Sequence, residues 1–140
     1  FPTRRSSDLR PYSGNEKTGI FVTNKGTATS YVRVKLVMNW VDGKGNIVSG
    51  DNLPTVELNK DDGWFEKGDI YYYKTPVAPV SAKPSNVTSN LLKTPITQTN
   101  APDGCHLEVT VLAESIQAAP SSAVTNAWGV KVDADSNLTK

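Results

Sequence analysis

Over residues 31–41 the chain alternates with a period of two. Val32, Val34, Leu36, Met38 and Trp40 fall on one side, and Tyr31, Arg33, Lys35 and Asn39 on the other. Successive side chains of a strand point to opposite faces, so five apolar residues in step define a β-strand with one buried face. Wound as a helix, the same residues would carry Arg33 and Lys35 into the interior. Residues 106–114 repeat the pattern, with Leu107, Val109, Val111 and Ala113 inward and His106, Glu108, Thr110 and Glu114 outward. Composition agrees. Val, Ile and Thr make up 34 of the 140 residues and Leu only nine, and side chains branched at Cβ suit pleated strands better than helices.

Turn residues divide the rest into short segments. Residues 18–23 read as a strand closed by a turn at Asn24-Lys25-Gly26, where Asn and Gly accept the positive backbone angle such turns often need. Asp42-Gly43-Lys44-Gly45-Asn46 leads into a short strand at Ile47-Val48, and residues 55–58 form another. Residues 63–66 turn through Lys67-Gly68-Asp69 into 70–74 as a hairpin. Four prolines between 75 and 99 (Pro76, Pro79, Pro84 and Pro95) remove backbone donors. That stretch therefore reads as a long surface connection with one extended piece at Leu91-Leu92. Residues 120–128 read as the single short helix, with Pro120 near its first turn and Gly129 after its end. The predicted fold is mainly all-β, an antiparallel jelly-roll-like sandwich of seven or eight strands with one short helix near 120–128.

The chain opens on Phe-Pro-Thr-Arg-Arg-Ser-Ser-Asp-Leu rather than methionine. This peptide resembles a translated sequencing adapter of the kind that heads environmental gene fragments, so residues 1–9 are set aside as non-native. Residues 10–140 are then expected to form a single β-sandwich domain lacking its native N-terminus, with any signal peptide and a first strand missing. Without Arg4, Arg5 and Asp8 the basic and acidic side chains balance.

Little chemistry is carried by motif. A net charge of +1 gives no electrostatic case for nucleic acid or an anionic membrane. No stretch approaches the roughly 20 apolar residues of a membrane span. Cys105 is the one cysteine and His106 the one histidine. As neighbours on a strand they point to opposite faces, a poor arrangement for nucleophile and base, and a triad has no other histidine to use. Asp61, Asp62, Glu66 and Asp69 gather within nine residues and are the only metal candidate, a weak one for calcium. Their spacing does not match the calcium-loop motif, and acidic turns are ordinarily just solvated. No phosphate loop, dinucleotide fingerprint or zinc spacing occurs, so no catalytic residue and no cofactor is expected. Asn86-Val87-Thr88 and Asn137-Leu138-Thr139 match the glycosylation acceptor pattern, a match common by chance. Trp64, Phe65, Tyr71, Tyr72 and Tyr73 share one hairpin, so alternate rings face opposite sides. One side can pack the core while the other presents Tyr72 outward, with Trp or Tyr available as a sugar platform, and core packing with cross-strand pairing is the preferred account.

Several segments in order resemble one family. Val22-Thr23-Asn24-Lys25-Gly26-Thr27 precedes Tyr31-Val32-Arg33-Val34, and Gly63-Trp64 precedes Asp69-Ile70-Tyr71-Tyr72-Tyr73-Lys74 and Pro76-Val77. Ala113-Glu114-Ser115-Ile116-Gln117-Ala118 and Ala127-Trp128-Gly129 follow. The set resembles the SipW-dependent secreted proteins of Firmicutes, the TasA/camelysin-like biofilm matrix proteins. The chain departs from the family at Val80-Ser81-Ala82-Lys83-Pro84, where a Gly and a nearby Thr are usual, and in having Cys105.

The resemblance implies an exported, jelly-roll-like protein of the cell surface or extracellular matrix, Gram-positive in type, whose partners are copies of itself or other surface proteins. It also implies fibre assembly by strand addition. Two other readings stand beside this one: a carbohydrate- or surface-binding module of a larger secreted protein, and a camelysin-like metallopeptidase. Against the peptidase stands the absence of a His-Glu-x-x-His helix. The expectation is a structural protein and not an enzyme. Its predicted core is Val32, Val34, Leu36, Trp40, Leu107, Val109 and Val111, with Trp128 over a sheet edge or end.

Overall fold

The two alternating segments pair with each other. In the computed structural model, which describes residues 3–9 and 16–140, β3 (Ser30–Val41) and β8 (His106–Gln117) run antiparallel over their full twelve residues, from Ser30 opposite Gln117 to Val41 opposite His106. Around this pair lies a six-stranded antiparallel sheet. Its order is β1 (Thr3–Leu9), β8, β3, β6 (Ile70–Tyr73) and β5 (Trp64–Lys67), with β4 (Ile47–Ser49) on the far end of β3. Two small ribbons complete the strands, β2 (Glu16–Lys17) with β7 (Ile96–Thr97) and β9 (Lys131–Val132) with β10 (Leu138–Thr139). Among the described residues the one α-helix is α1 (Ser121–Trp128), ended by Gly129 in the left-handed conformation with its N–H donating to Thr125 O. The fold is mainly β, antiparallel and sandwich-like.

The sheet buries both faces. On one, Val34, Trp40, Leu107, Val109, Val111 and Trp64 form the main core, with Leu36, Met38, Tyr71, Tyr73 and Ala113 half-buried beside them. Val32 is buried as well. Alternation alone leaves the other face of 31–41 to solvent, yet its first half is covered. Tyr31, Phe65 and Tyr72 pack there with Val124 and Trp128 of α1, with Val130, and with Leu138 of β10. Trp128 therefore lies over a sheet face rather than an edge. Thr110, expected outward, is also buried. An all-β layer whose outward residues are aromatic or branched gains by accepting a helix, because the covered apolar area leaves water.

The second layer over the main core is mostly irregular chain. The segment 75–99 is part of it, so it is no surface connection: Leu91, Leu92 and Ile96 are at most 3% exposed. Its prolines leave it only the two-residue strand β7, and backbone hydrogen bonds to other segments tie it down. Thr88 N donates to Val22 O, Leu91 N to Ile20 O and Lys93 N to Glu57 O, while Asn59 N donates to Leu91 O. Residues 18–23 and 55–58, read as strands, form no regular ladder. Side chains supply what the ladder lacks: Asn90 Oδ1 accepts from Ile20 N at 2.9 Å, and Thr88 Oγ1 accepts from Val22 N at 3.0 Å. The turn after residue 23 is likewise a side-chain device. Asn24 Oδ1 accepts from Gly26 N, and its Nδ2 donates to Ala28 O and Val77 O.

Candidate functional site

The two layers separate along β8. There the core-facing residues Val111, Ala113 and Ser115 form one wall of an open groove of about 710 Å3, and Ile20, Phe21 and Val22 of the second layer form the opposite wall. Phe21 keeps 55% of its surface exposed beside this groove. Large exposed apolar side chains at a concave site mark a binding surface more often than scattered ones do. In the sequence, residues 20–22 looked like the interior of a strand. What exposes Phe21 is the absence of a regular partner for that segment, which local pattern does not encode.

The outer edge of β8 carries β1. Thr3 lies opposite Ala113, Arg5 opposite Val111 and Ser7 opposite Val109. Residues directly opposite in an antiparallel pair share a sheet face. β1 thus lies along β8 on the side where the groove opens, with its register fixed from Thr3 opposite Ala113 to Leu9 opposite Leu107. This is the segment set aside in the sequence as adapter-derived.

A second opening lies at the other side of the sandwich, between β5–β6 and the residues around Leu58. It is a cleft of about 370 Å3 bounded by Val56, Leu58 and Tyr71, with Glu57, Lys60, Asp61, Glu66 and Lys93 around it. Register sets part of this geometry, because Glu66 is directly opposite Tyr71. Burial raises the Tyr71 hydroxyl pKa above its usual 10.0, and the nearby Glu66 carboxylate, which accepts its hydrogen bond, raises it further.

The acidic cluster predicted from sequence is dispersed. Asp61 and Glu66 border the cleft, Asp62 Oδ2 accepts from Asn59 Nδ2 at 2.9 Å, and Asp69 pairs with Lys35 at 3.3 Å. Among the described residues no three His, Cys, Asp or Glu side chains gather closely enough to hold a metal ion. Cys105 packs half-buried against the main core, whereas His106 is opposite Val41 on the other sheet face. Tyr72, expected outward, is 3% exposed and stacks on Phe65 beneath Trp128. The ring that reaches an open cleft is Tyr71. The acceptor-pattern residue Asn86 donates to Pro79 O, and Thr88 of the same pattern is buried.

No protein-family model, curated protein or solved structure matches the chain. Among the described residues no helix is long and apolar enough to cross a membrane.

Proposed function

We propose that the protein is an exported structural component of the cell surface or extracellular matrix, without catalysis, that associates by accepting an extended strand along β8. The observation that carries this reading is the pairing of residues 3–9 with β8 beside an open groove whose lining mixes apolar Ile20, Val22 and Val111 with polar Thr23, Asn24 and Ser115. A peptide of the adapter-derived kind that residues 1–9 resemble has no history of selection for this position, yet it pairs with β8 from Thr3 opposite Ala113 to Leu9 opposite Leu107. An edge that pairs with such a peptide accepts strands through its backbone groups, the basis of affinity in strand addition. The partner strand that fits best carries apolar residues at the positions opposite Ala113, Val111 and Val109.

The opposite edge differs in kind. β5 has four residues, and its exposed ones are Glu66 and Lys67. Short, charged edges resist pairing with other chains, whereas long edges invite it. The ordered motifs that resemble those of secreted matrix proteins are what favour export and self-association in this reading.

Sedimentation velocity of residues 10–140 with a fluorescently labelled peptide of residues 1–9 tests the proposal, with circular dichroism to verify folding. The peptide is expected to co-sediment with the shortened chain and not with the chain that already carries residues 1–9. A folded shortened chain that leaves the peptide free at every concentration would refute strand acceptance.

A further inference from the structure

We propose that the cleft at Tyr71 is a binding site for an uncharged saccharide. Its volume of about 370 Å3 falls within the usual range for small-molecule sites, roughly 300–1,000 Å3. The apolar part is made by Val56, Leu58 and the half-buried Tyr71 ring, which offer a surface for the C–H face of a sugar. Aromatic rings with a polar handle suit surfaces that are apolar on one side and wet on the other.

The charged groups select the ligand class. Glu57, Asp61 and Glu66 provide acceptors, while Lys60 and Lys93 provide donors. A small anion entering the cleft would meet three carboxylates, and a small cation would meet two ammonium groups. A neutral polyhydroxylated ring uses both sets at once, since each hydroxyl donates and accepts. Parts of the rim are held before any ligand arrives. Glu57 pairs with Lys93 at 3.7 Å and accepts from Thr94 Oγ1 at 3.2 Å, and Glu66 is fixed opposite Tyr71 by strand register. Such preorganisation lowers the entropy lost on binding. The site is separate from the β8 groove, so neither reading depends on the other.

The experiment is a titration of the 15N-labelled 140-residue chain with cellohexaose, then fully N-acetylated chitohexaose, followed by amide chemical shifts. Saturable shifts confined to the surroundings of Tyr71, Leu58 and Lys93 are expected with at least one of the two. Tyr71→Ala should weaken that binding by about tenfold and Tyr71→Phe should largely keep it. Because Tyr71 also packs on the core, Glu57→Ala provides a rim variant that leaves the core intact, with an expected loss of about fivefold. The proposal is overturned if neither hexaose shifts these amides, or if the shifts persist unchanged in Tyr71→Ala and Glu57→Ala.

Discussion

Arg33 and Glu114 stand directly opposite each other across the β3–β8 pair, and Arg33 Nη2 donates to Glu114 Oε1 at 2.7 Å. The same carboxylate oxygen accepts from Trp128 Nε1 at 2.8 Å, and the guanidinium lies 4.6 Å from the Trp128 ring centroid. One ion pair thus docks α1 onto the sheet by a hydrogen bond and a cation–π contact together. Both side chains are mostly covered, at 16% and 24% exposure. Removing one partner leaves the other desolvated, which costs more than the pair contributes.

Glu114→Ala is therefore expected to destabilise the fold by about 2–3 kcal/mol, and Glu114→Gln by less, because its amide oxygen still accepts from Trp128. Urea unfolding followed by tryptophan fluorescence checks the order. Equal stability for the two variants would mean that the retained acceptor contributes nothing and that only the charge of Glu114 counts.

Trp40 gives the second prediction. It is fully buried, opposite Leu107, and its Nε1 donates to Asp51 O at 2.8 Å. Trp40→Ala opens a cavity beneath the sheet and frees a carbonyl acceptor, at an expected cost of about 3–5 kcal/mol. Trp40→Phe fills most of the space and should cost clearly less. A near-neutral result for the alanine variant in chemical denaturation would contradict the register of β3.

The core side of β3 and β8 was legible because alternation over many residues leaves one arrangement that keeps Arg33 and Lys35 out of the main core. The hairpin at 63–74 and the helix near 120–128 were legible from turn and cap residues. The other face was not. Tyr31 and Tyr72 look like solvent-side residues by period alone, and only the return of α1 and β10 buries them. The second layer was hidden for a related reason: Asn90 and Thr88 complete backbone pairing with their side chains, a substitution that polar residues do not announce. At the Tyr71 cleft, register to Glu66 was implicit in the hairpin, but the approach of Lys93 and Glu57 depends on contacts distant in the chain.

Two hairpins supply the third prediction because they share one local design. Asp42 Oδ1 accepts from Lys44 N and Asn46 N, and Asp133 Oδ1 accepts from Asp135 N and Asn137 N, all at 2.9 Å. The left-handed residue is Gly45 in the first and Ser136 in the second, with φ of 86° and 65°. A side chain at such an angle costs about 1–2 kcal/mol, part of which glycine returns through its greater freedom in the unfolded chain. Ser136→Gly is expected to stabilise by about 0.5 kcal/mol, and Gly45→Ala to destabilise by about 1 kcal/mol. Thermal denaturation should move the two midpoints in opposite directions.

Tyr31 carries the last prediction, a dependence on alkaline pH. Its hydroxyl donates to Ser136 O at 2.7 Å and ties the start of β3 to the β9–β10 hairpin. Burial raises its pKa above the usual 10.0, and the negative charge of Asp133 raises it further. A phenol whose folded pKa exceeds its unfolded value binds its proton more tightly in the native state. Its contribution is then fully present below pH 10.0 and is lost as pH climbs through the folded value. Stability measured by urea denaturation should therefore decline through this alkaline window in the native protein. In Tyr31→Phe, which keeps the ring and lacks the ionisable group, the baseline should be lower near neutrality and the alkaline decline shallower. A decline of equal steepness in both proteins would assign the effect to other groups.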